Sequence, residues 1–125
     1  MSLRTAFAEE RGGEVLRASL HGSLDGATAP TLDAELTARI RAGLSLLVLD
    51  MKDLDYISSA GLRVVFKAAK TLRAAGGAVA LANRQPQIVK VFEIVKALPD
   101  LQVFSNDDEL DDYLRAMQSK SRQGE

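Results

Sequence analysis

The chain has 125 residues, of which 46% are hydrophobic and 26% are charged, and its formal net charge is -1. A chain of this length has room for one compact domain with a real core. A nucleic-acid-binding surface is not expected, because phosphate recognition needs concentrated positive charge. The chain has no cysteine, which excludes disulfides and thiolate chemistry.

Targeting and cofactor signals are missing from the sequence. No run of roughly 18 or more apolar residues occurs, so no membrane span is predicted. We expect a cytoplasmic protein with one domain over residues 1–117 and a polar, disordered tail over residues 118–125. His21 is the single histidine and has no companion ligand in sequence, so we expect no metal site and no cofactor.

The N-terminal region predicts a β-hairpin. Two alternating segments, Leu3–Glu9 and Val15–Leu20, are separated by Arg11–Gly13, and a Gly-Gly pair is typical of a short turn. The composition of Gly22–Gly26 then indicates a loop.

The central region alternates between helix and strand patterns. Apolar residues at helical spacing predict a first helix, which Thr28 or Thr31 would cap. The unbroken apolar run Leu46–Met51 is typical of a strand buried on both faces. We assign the carboxylates around its end to ordinary turn chemistry: Asp50, Asp53 and Asp55.

The remaining segments continue this alternation. A second helix follows the serines at 58 and 59, and later segments predict a strand, a helix, a short strand and a last helix, over Ala78–Ala82, Pro86–Leu98, Leu101–Phe104 and Asn106–Met117. Such alternation implies right-handed crossovers and a sheet with a parallel centre. We therefore predict an α/β fold with a four- to five-stranded mixed sheet and about four helices.

Ser58 and Ser59 stand where the central strand gives way to the second helix, and three hypotheses compete for them. They could simply cap the helix, because serine is favoured there. One could be a catalytic nucleophile, although that role needs flanking glycines and a histidine partner. An exposed hydroxyl at a helix start could also be phosphorylated, which adds negative charge without disrupting the fold.

A family resemblance favours the third hypothesis. The segments Leu49–Met51 and Leu54–Val64 resemble the signature of STAS-domain anti-sigma factor antagonists, bacterial switch proteins of the SpoIIAA and RsbV type. Gly22 and Asp25 resemble the family's Gly-x-x-Asp loop, and Asn83–Val91 resembles its entry to the third helix.

Aligning the family's Gly-Leu pair on Gly61 and Leu62 implies that Ser59 is the phosphorylated serine, with Ser58 as the runner-up. Ser58 stands where the family commonly has aspartate, and Arg63 replaces a glycine. The resemblance implies a partner-binding surface that contains Asp25, Tyr56, Ser58, Gly61, Leu62 and Arg63.

Three of these residues also have simpler interpretations. Asp25 could be an ordinary turn aspartate. Tyr56 could pack beneath the neighbouring loop, which we favour slightly over exposure. Arg63 could be a solvated arginine of a helix face that also carries Lys67 and Lys70.

By this resemblance the protein is not an enzyme. Its unphosphorylated form would bind an anti-sigma factor that is also a GHKL-type serine kinase, phosphorylation of Ser59 would release it, and a PP2C-type phosphatase would restore binding. One alternative is a STAS accessory subunit of a transporter or lipid-trafficking complex without a phosphoswitch. Another is an enzyme that uses Ser59 as its nucleophile.

Overall fold

The computed structural model describes residues 2–41, 43–94 and 101–104. Strands and helices alternate along this part of the chain after an N-terminal hairpin whose turn is a short 3-10 helix, Arg11–Gly13. In chain order the elements are β1 (Leu3–Glu10), β2 (Val15–Leu24), α1 (Ala29–Arg39), β3 (Leu46–Ile57), α2 (Ser59–Ala74), β4 (Ala78–Ala82), α3 (Pro86–Ile94) and β5 (Leu101–Phe104).

The five strands form one mixed sheet in the order β1-β2-β3-β4-β5. β1 pairs antiparallel with β2, and every later neighbouring pair is parallel. Within the described residues, a helix lies in the connection of each parallel pair, as crossover connections require. The predicted α/β class and mixed sheet are therefore confirmed.

The main core lies between one face of the sheet and the helices. Alternate strand residues and the apolar stripes of the helices meet there, and its fully buried side chains include Leu20, Leu32, Leu36, Leu49, Leu72, Leu81 and Ile88. A smaller cluster occupies the opposite face of the sheet and consists of Val15, Leu46, Val48, Ala80 and Ala82. β3 is thus buried on both faces over its first half, as its unbroken apolar run predicts.

β2 and β3 both extend beyond their predicted ends, which corrects two assignments. Gly22–Leu24 belongs to β2 rather than to a loop, and the three aspartates from 50 to 55 lie within β3 rather than on a turn. The extensions pair with each other, and Leu24 lies opposite Ile57. Because β4 ends opposite Asp50, this outer part of β3 has a strand on one side only and carries polar residues.

Some predictions fall outside the described residues. The last helix over Asn106–Met117, the tail over 118–125 and the end of the third helix belong to this group. Among the residues that the structure does describe, no helix combines the length and the apolar character needed to span a membrane.

Candidate functional site

The turn from β3 into α2 is built by Ser58. Its backbone is extended, and its hydroxyl oxygen accepts a hydrogen bond of 3.3 Å from the backbone N–H of Gly61. Its own N–H donates to the carbonyl oxygen of Leu24 over 2.9 Å. Ser58 therefore caps α2 and ties the helix start to the end of β2.

Ser59 is the first residue of α2, and its side chain faces solvent. Its hydroxyl has no hydrogen-bond partner within residues 2–41, 43–94 and 101–104. The first turn of a helix also presents N–H groups without intrahelical acceptors, together with the positive end of the helix dipole. An anion attached to Ser59 would therefore meet donors and a favourable field.

Gly61 and Leu62 are buried beneath this surface. A Cβ atom on Gly61 would lie 2.7 Å from Cγ of Leu24 and 2.9 Å from Cγ1 of Ile57, so only glycine allows α2 to approach the sheet this closely. Their burial gives both residues a packing role, and direct contact with a partner stays a prediction for them.

Asp25 lies in the loop that follows β2. Its Oδ1 atom accepts hydrogen bonds from the N–H groups of Ala27 at 2.9 Å and Thr28 at 3.1 Å, and the Thr28 hydroxyl oxygen lies 3.3 Å away. The backbone hydrogen bond from Thr28 is the largest influence that lowers the pKa of the Asp25 carboxyl below its ordinary value of 3.8. Leu24 bonds to Ser58, so the Asp25 loop begins directly beside the α2 start.

The cap of α1 differs from the prediction. Thr28 occupies the cap position, but its side chain makes no capping bond. Its hydroxyl instead donates to the carbonyl oxygen of Ser23 over 2.8 Å and accepts from the N–H of Asp25 over 2.9 Å. The Asp25 carboxylate binds the free N–H groups before the helix, so Asp25 is a structural turn aspartate whatever else it contacts.

Tyr56 is exposed over 49% of its surface, and it is the single large hydrophobic residue with this degree of exposure within residues 2–41 and 43–91. The interpretation that it packs beneath the loop is therefore wrong. Tyr56 lies opposite Ser23 on the paired extensions of β2 and β3, where successive side chains alternate between the faces. An exposed aromatic side chain is a common anchor of protein interfaces.

Arg63 lies on the first turns of α2 and is exposed. Its guanidinium makes no ion pair or hydrogen bond with any residue that the structure describes. Lys67, one turn further along, donates to both carboxylate oxygens of Asp33 at 3.0 Å. The basic residues at positions 63, 67, 70 and 73 are all exposed, which agrees with the predicted solvated face.

Two glutamines that were not among the predicted site residues bind the outer part of β3 through their side chains. The side-chain amide of Gln85 donates to the Lys52 carbonyl oxygen over 2.8 Å, and that of Gln87 donates to the Asp55 carbonyl oxygen over 3.2 Å. These amides occupy the edge of β3 that β4 leaves unpaired. Both lie in Asn83–Val91, the segment that resembles the family's entry to the third helix, but that resemblance assigns them no role because their contacts depend on the length of β3.

The structure brings all seven predicted site residues to one end of the sheet, with Gly61 and Leu62 buried beneath the other five. Asp25, Tyr56, Ser58, Ser59 and Arg63 all lie where β2 and β3 end and α2 begins. The carboxyl ends of parallel strands are the usual location of binding sites in α/β folds. Three features of this site are accessible: a hydroxyl, an aromatic ring and a guanidinium.

Comparisons with known proteins agree with this architecture. The family model described as "STAS domain" matches residues 8–110. A Bordetella bronchiseptica protein, BtrV, assigned as a candidate anti-sigma factor antagonist, is 48% identical over 80 residues, which cover 64% of this chain and 69% of that protein.

Two solved structures share the fold. The unphosphorylated form of the anti-sigma factor antagonist SpoIIAA aligns with a TM-score of 0.69 and 21% identity, over 90% of this chain and 98% of its own. The phosphorylated form of SpoIIAA from Bacillus aligns with a TM-score of 0.64 and 23% identity, over 86% and 99%. The resemblance predicted from the sequence is confirmed, and the chain belongs to the STAS domain family.

Proposed function

We propose that the protein is an anti-sigma factor antagonist that switches partners when Ser59 is phosphorylated. The observation that carries the proposal is the exposed hydroxyl of Ser59 at the first position of α2. The 48% identity to BtrV supports the functional class, and SpoIIAA, which shares the fold, has been solved in a phosphorylated form.

The two serines differ in their availability to a kinase. Ser58 is half-buried, and its hydroxyl and N–H are both engaged in the cap of α2 and in the contact with β2. Ser59 is exposed and has no such bonds to the described residues. Modification of Ser58 would require the cap to open, whereas modification of Ser59 would not. Ser59 is therefore the phosphorylation site in this proposal.

The partner of the unmodified form is a GHKL-type anti-sigma factor that is also the serine kinase, and a PP2C-type phosphatase reverses the modification. The three proteins would meet in the cytoplasm. The docking surface is the end of the sheet that carries Asp25, Tyr56, Ser59 and Arg63. Its exposed aromatic ring supplies apolar contact area, while the charged groups around it set orientation.

The phosphate acts on binding rather than on folding. It carries about -1.5 to -2 charges at neutral pH, and a helix N-terminus tolerates that charge. Within a docked interface the same group must be desolvated beside its partner, which is costly. A hundredfold loss of affinity needs about 2.7 kcal/mol, which one badly placed phosphate can supply.

The catalytic alternative needs a base at the serine, and the Ser59 hydroxyl contacts none in the part of the chain that the structure describes. His21 contacts Asp53, with Nδ1 and Oδ2 3.3 Å apart, and makes no hydrogen bond to Ser59. A neutral serine needs such a base to become a nucleophile. No observation favours the transporter or lipid-trafficking alternative over partner switching.

Phosphorylation assays on serine variants test the proposal. The chain is incubated with ATP and the GHKL-type kinase encoded in the same genome, and its intact mass is measured. Wild type and Ser58→Ala should each gain one phosphate, while Ser59→Ala should gain none. A phosphate on Ser59→Ala at the wild-type rate would contradict the assignment.

A further inference from the structure

We infer that Arg63 transmits the phosphorylation state of Ser59 to the partner. In the unmodified protein its guanidinium binds a carboxylate on an acidic surface of the partner, and in the modified protein it pairs with the phosphate of its own chain. This inference rests on the proposed function, because it describes how the same site is switched.

The helix places Ser59 and Arg63 within reach of each other. They are four residues apart in α2, and residues at this spacing lie on one face with Cβ atoms about 5 to 6 Å apart. Both side chains are exposed, so neither must leave the core to make contact. Arginine binds phosphate through two parallel N–H groups, which makes this pair stronger than an ordinary surface ion pair.

Arg63 is available for either role. Lys67 has a carboxylate partner in Asp33, whereas Arg63 makes no polar contact within the described residues. α2 contains four basic residues and no acidic residue, so no carboxylate within the helix can neutralise Arg63. A surface of this charge complements an acidic partner, and charge complementarity fixes the register of such interfaces.

The two roles exclude each other. A guanidinium that pairs with the phosphate at position 59 is no longer directed at the partner, so phosphorylation removes one attractive contact and adds a desolvated anion. Loss of Arg63 should therefore weaken the unmodified form and leave the phosphorylated form unchanged. In a variant without Arg63, the affinities of the unmodified and the phosphorylated form for the partner should therefore differ less than in wild type.

The intramolecular pair is tested without any partner. The full chain is produced with phosphoserine incorporated at position 59 by codon suppression, and its phosphate is titrated by phosphorus NMR. A neighbouring cation favours the doubly charged phosphate and lowers its pKa. We expect the phosphate pKa to rise by a few tenths of a pH unit in Arg63→Gln.

Lys70→Gln is the matched control for this titration. Lys70 is exposed on the same helix and loses the same charge, but it lies seven residues, or about 10 Å, beyond Arg63 along the axis. The Lys70→Gln substitution should leave the phosphate pKa unchanged from that of wild type. A phosphate pKa that is the same in wild type and Arg63→Gln would overturn the inference.

The partner contact is tested by binding to the anti-sigma factor kinase. Arg63→Gln should weaken the unmodified chain about fivefold, the loss expected for a charge pair at the rim of an interface, and Lys70→Gln less than twofold. Equal weakening of both forms by Arg63→Gln, or weakening of neither, overturns the inference. Equal affinity of the two wild-type forms instead overturns the proposed function, whatever the NMR titration gives.

Discussion

The backbone N–H of Ser58 donates a 2.9 Å hydrogen bond to the carbonyl oxygen of Leu24, and this bond joins the ends of two parallel strands. From Ser58 the chain continues into Ser59 and α2, and from Leu24 it continues into the Asp25 loop. Two loops far apart in sequence thereby become one surface. In the proposed switch, a phosphate on Ser59 would add negative charge to this surface while leaving the bond between Ser58 and Leu24 in place.

The first prediction concerns the cap formed by Ser58. Ser58→Ala removes the oxygen that accepts from the Gly61 N–H and should lower the free energy of unfolding by about 1 kcal/mol. Ser58→Asp keeps an acceptor at the cap and should retain most of the stability. Urea denaturation measures both. Equal losses for the two variants would show that the cap bond does not stabilise α2.

The second prediction concerns Gly61. Gly61→Ala should lower the free energy of unfolding by about 1 to 3 kcal/mol, because its Cβ would be forced against Leu24 and Ile57. Gly26→Ala is the control, since a Cβ there meets no atom within 4 Å and the loop backbone needs no left-handed conformation. Thermal or urea unfolding compares the two. A stable Gly61→Ala would contradict the close approach of α2 to the sheet.

The third prediction concerns Tyr56. Because its ring is exposed, Tyr56→Ala should change the free energy of unfolding by less than about 0.5 kcal/mol. Its affinity for the anti-sigma factor kinase should fall about tenfold or more if the ring anchors the interface. Tyr56→Phe, which keeps the ring, should bind nearly as well as wild type. Calorimetric titration of the unmodified variants is the measurement, and unaltered binding of Tyr56→Ala would remove Tyr56 from the interface.

The fourth prediction concerns the pH dependence that Asp25 contributes. Its folded pKa is lowered below 3.8, chiefly by the Thr28 N–H, so the charged form is the one that stabilises the fold. This contribution to stability is fully present above pH 3.8 and is lost as the pH falls through the lower pKa of the folded state. Asp25→Asn keeps an acceptor but cannot ionise. The difference in the free energy of unfolding between wild type and Asp25→Asn should therefore become smaller as the pH is lowered, which urea denaturation at a series of pH values measures. A difference that stays constant with pH would contradict the prediction.

The strongly patterned elements were predictable from sequence. The apolar run Leu46–Met51 forms the first half of β3, and the helical spacing after Gly61 forms α2, so the position of Ser59 between them followed directly. These patterns are reliable because each element buries its apolar residues against the same core.

The outer halves of β2 and β3 were not predictable in the same way. Gly22 and Ser23 have the composition of a loop, and Lys52, Asp53 and Asp55 have that of a turn. They are strand residues because the two extensions pair with each other, with register shifts on the way. Such pairing is a tertiary effect that overrides local preference. The exposure of Tyr56 follows from it, since that residue stands on the outer part of β3, which pairs with β2 but not with β4.

Thr28 occupies the predicted cap position of α1, but its side-chain bonding was missed for a related reason. Threonine is a good cap residue, and two threonines stand near the helix start. Asp25, three residues before Thr28, takes the free N–H groups because the loop after β2 folds back on itself. The turn role that the sequence analysis offered for Asp25 is therefore confirmed, and its contact with a partner stays a prediction.

The most direct test of the account is the affinity of the anti-sigma factor kinase for two forms of the full chain, one with serine and one with phosphoserine at position 59. Far-ultraviolet circular dichroism should show the same fold in both. We predict that the phosphorylated form binds at least about a hundredfold more weakly. Equal affinity of the two correctly folded forms would contradict the account.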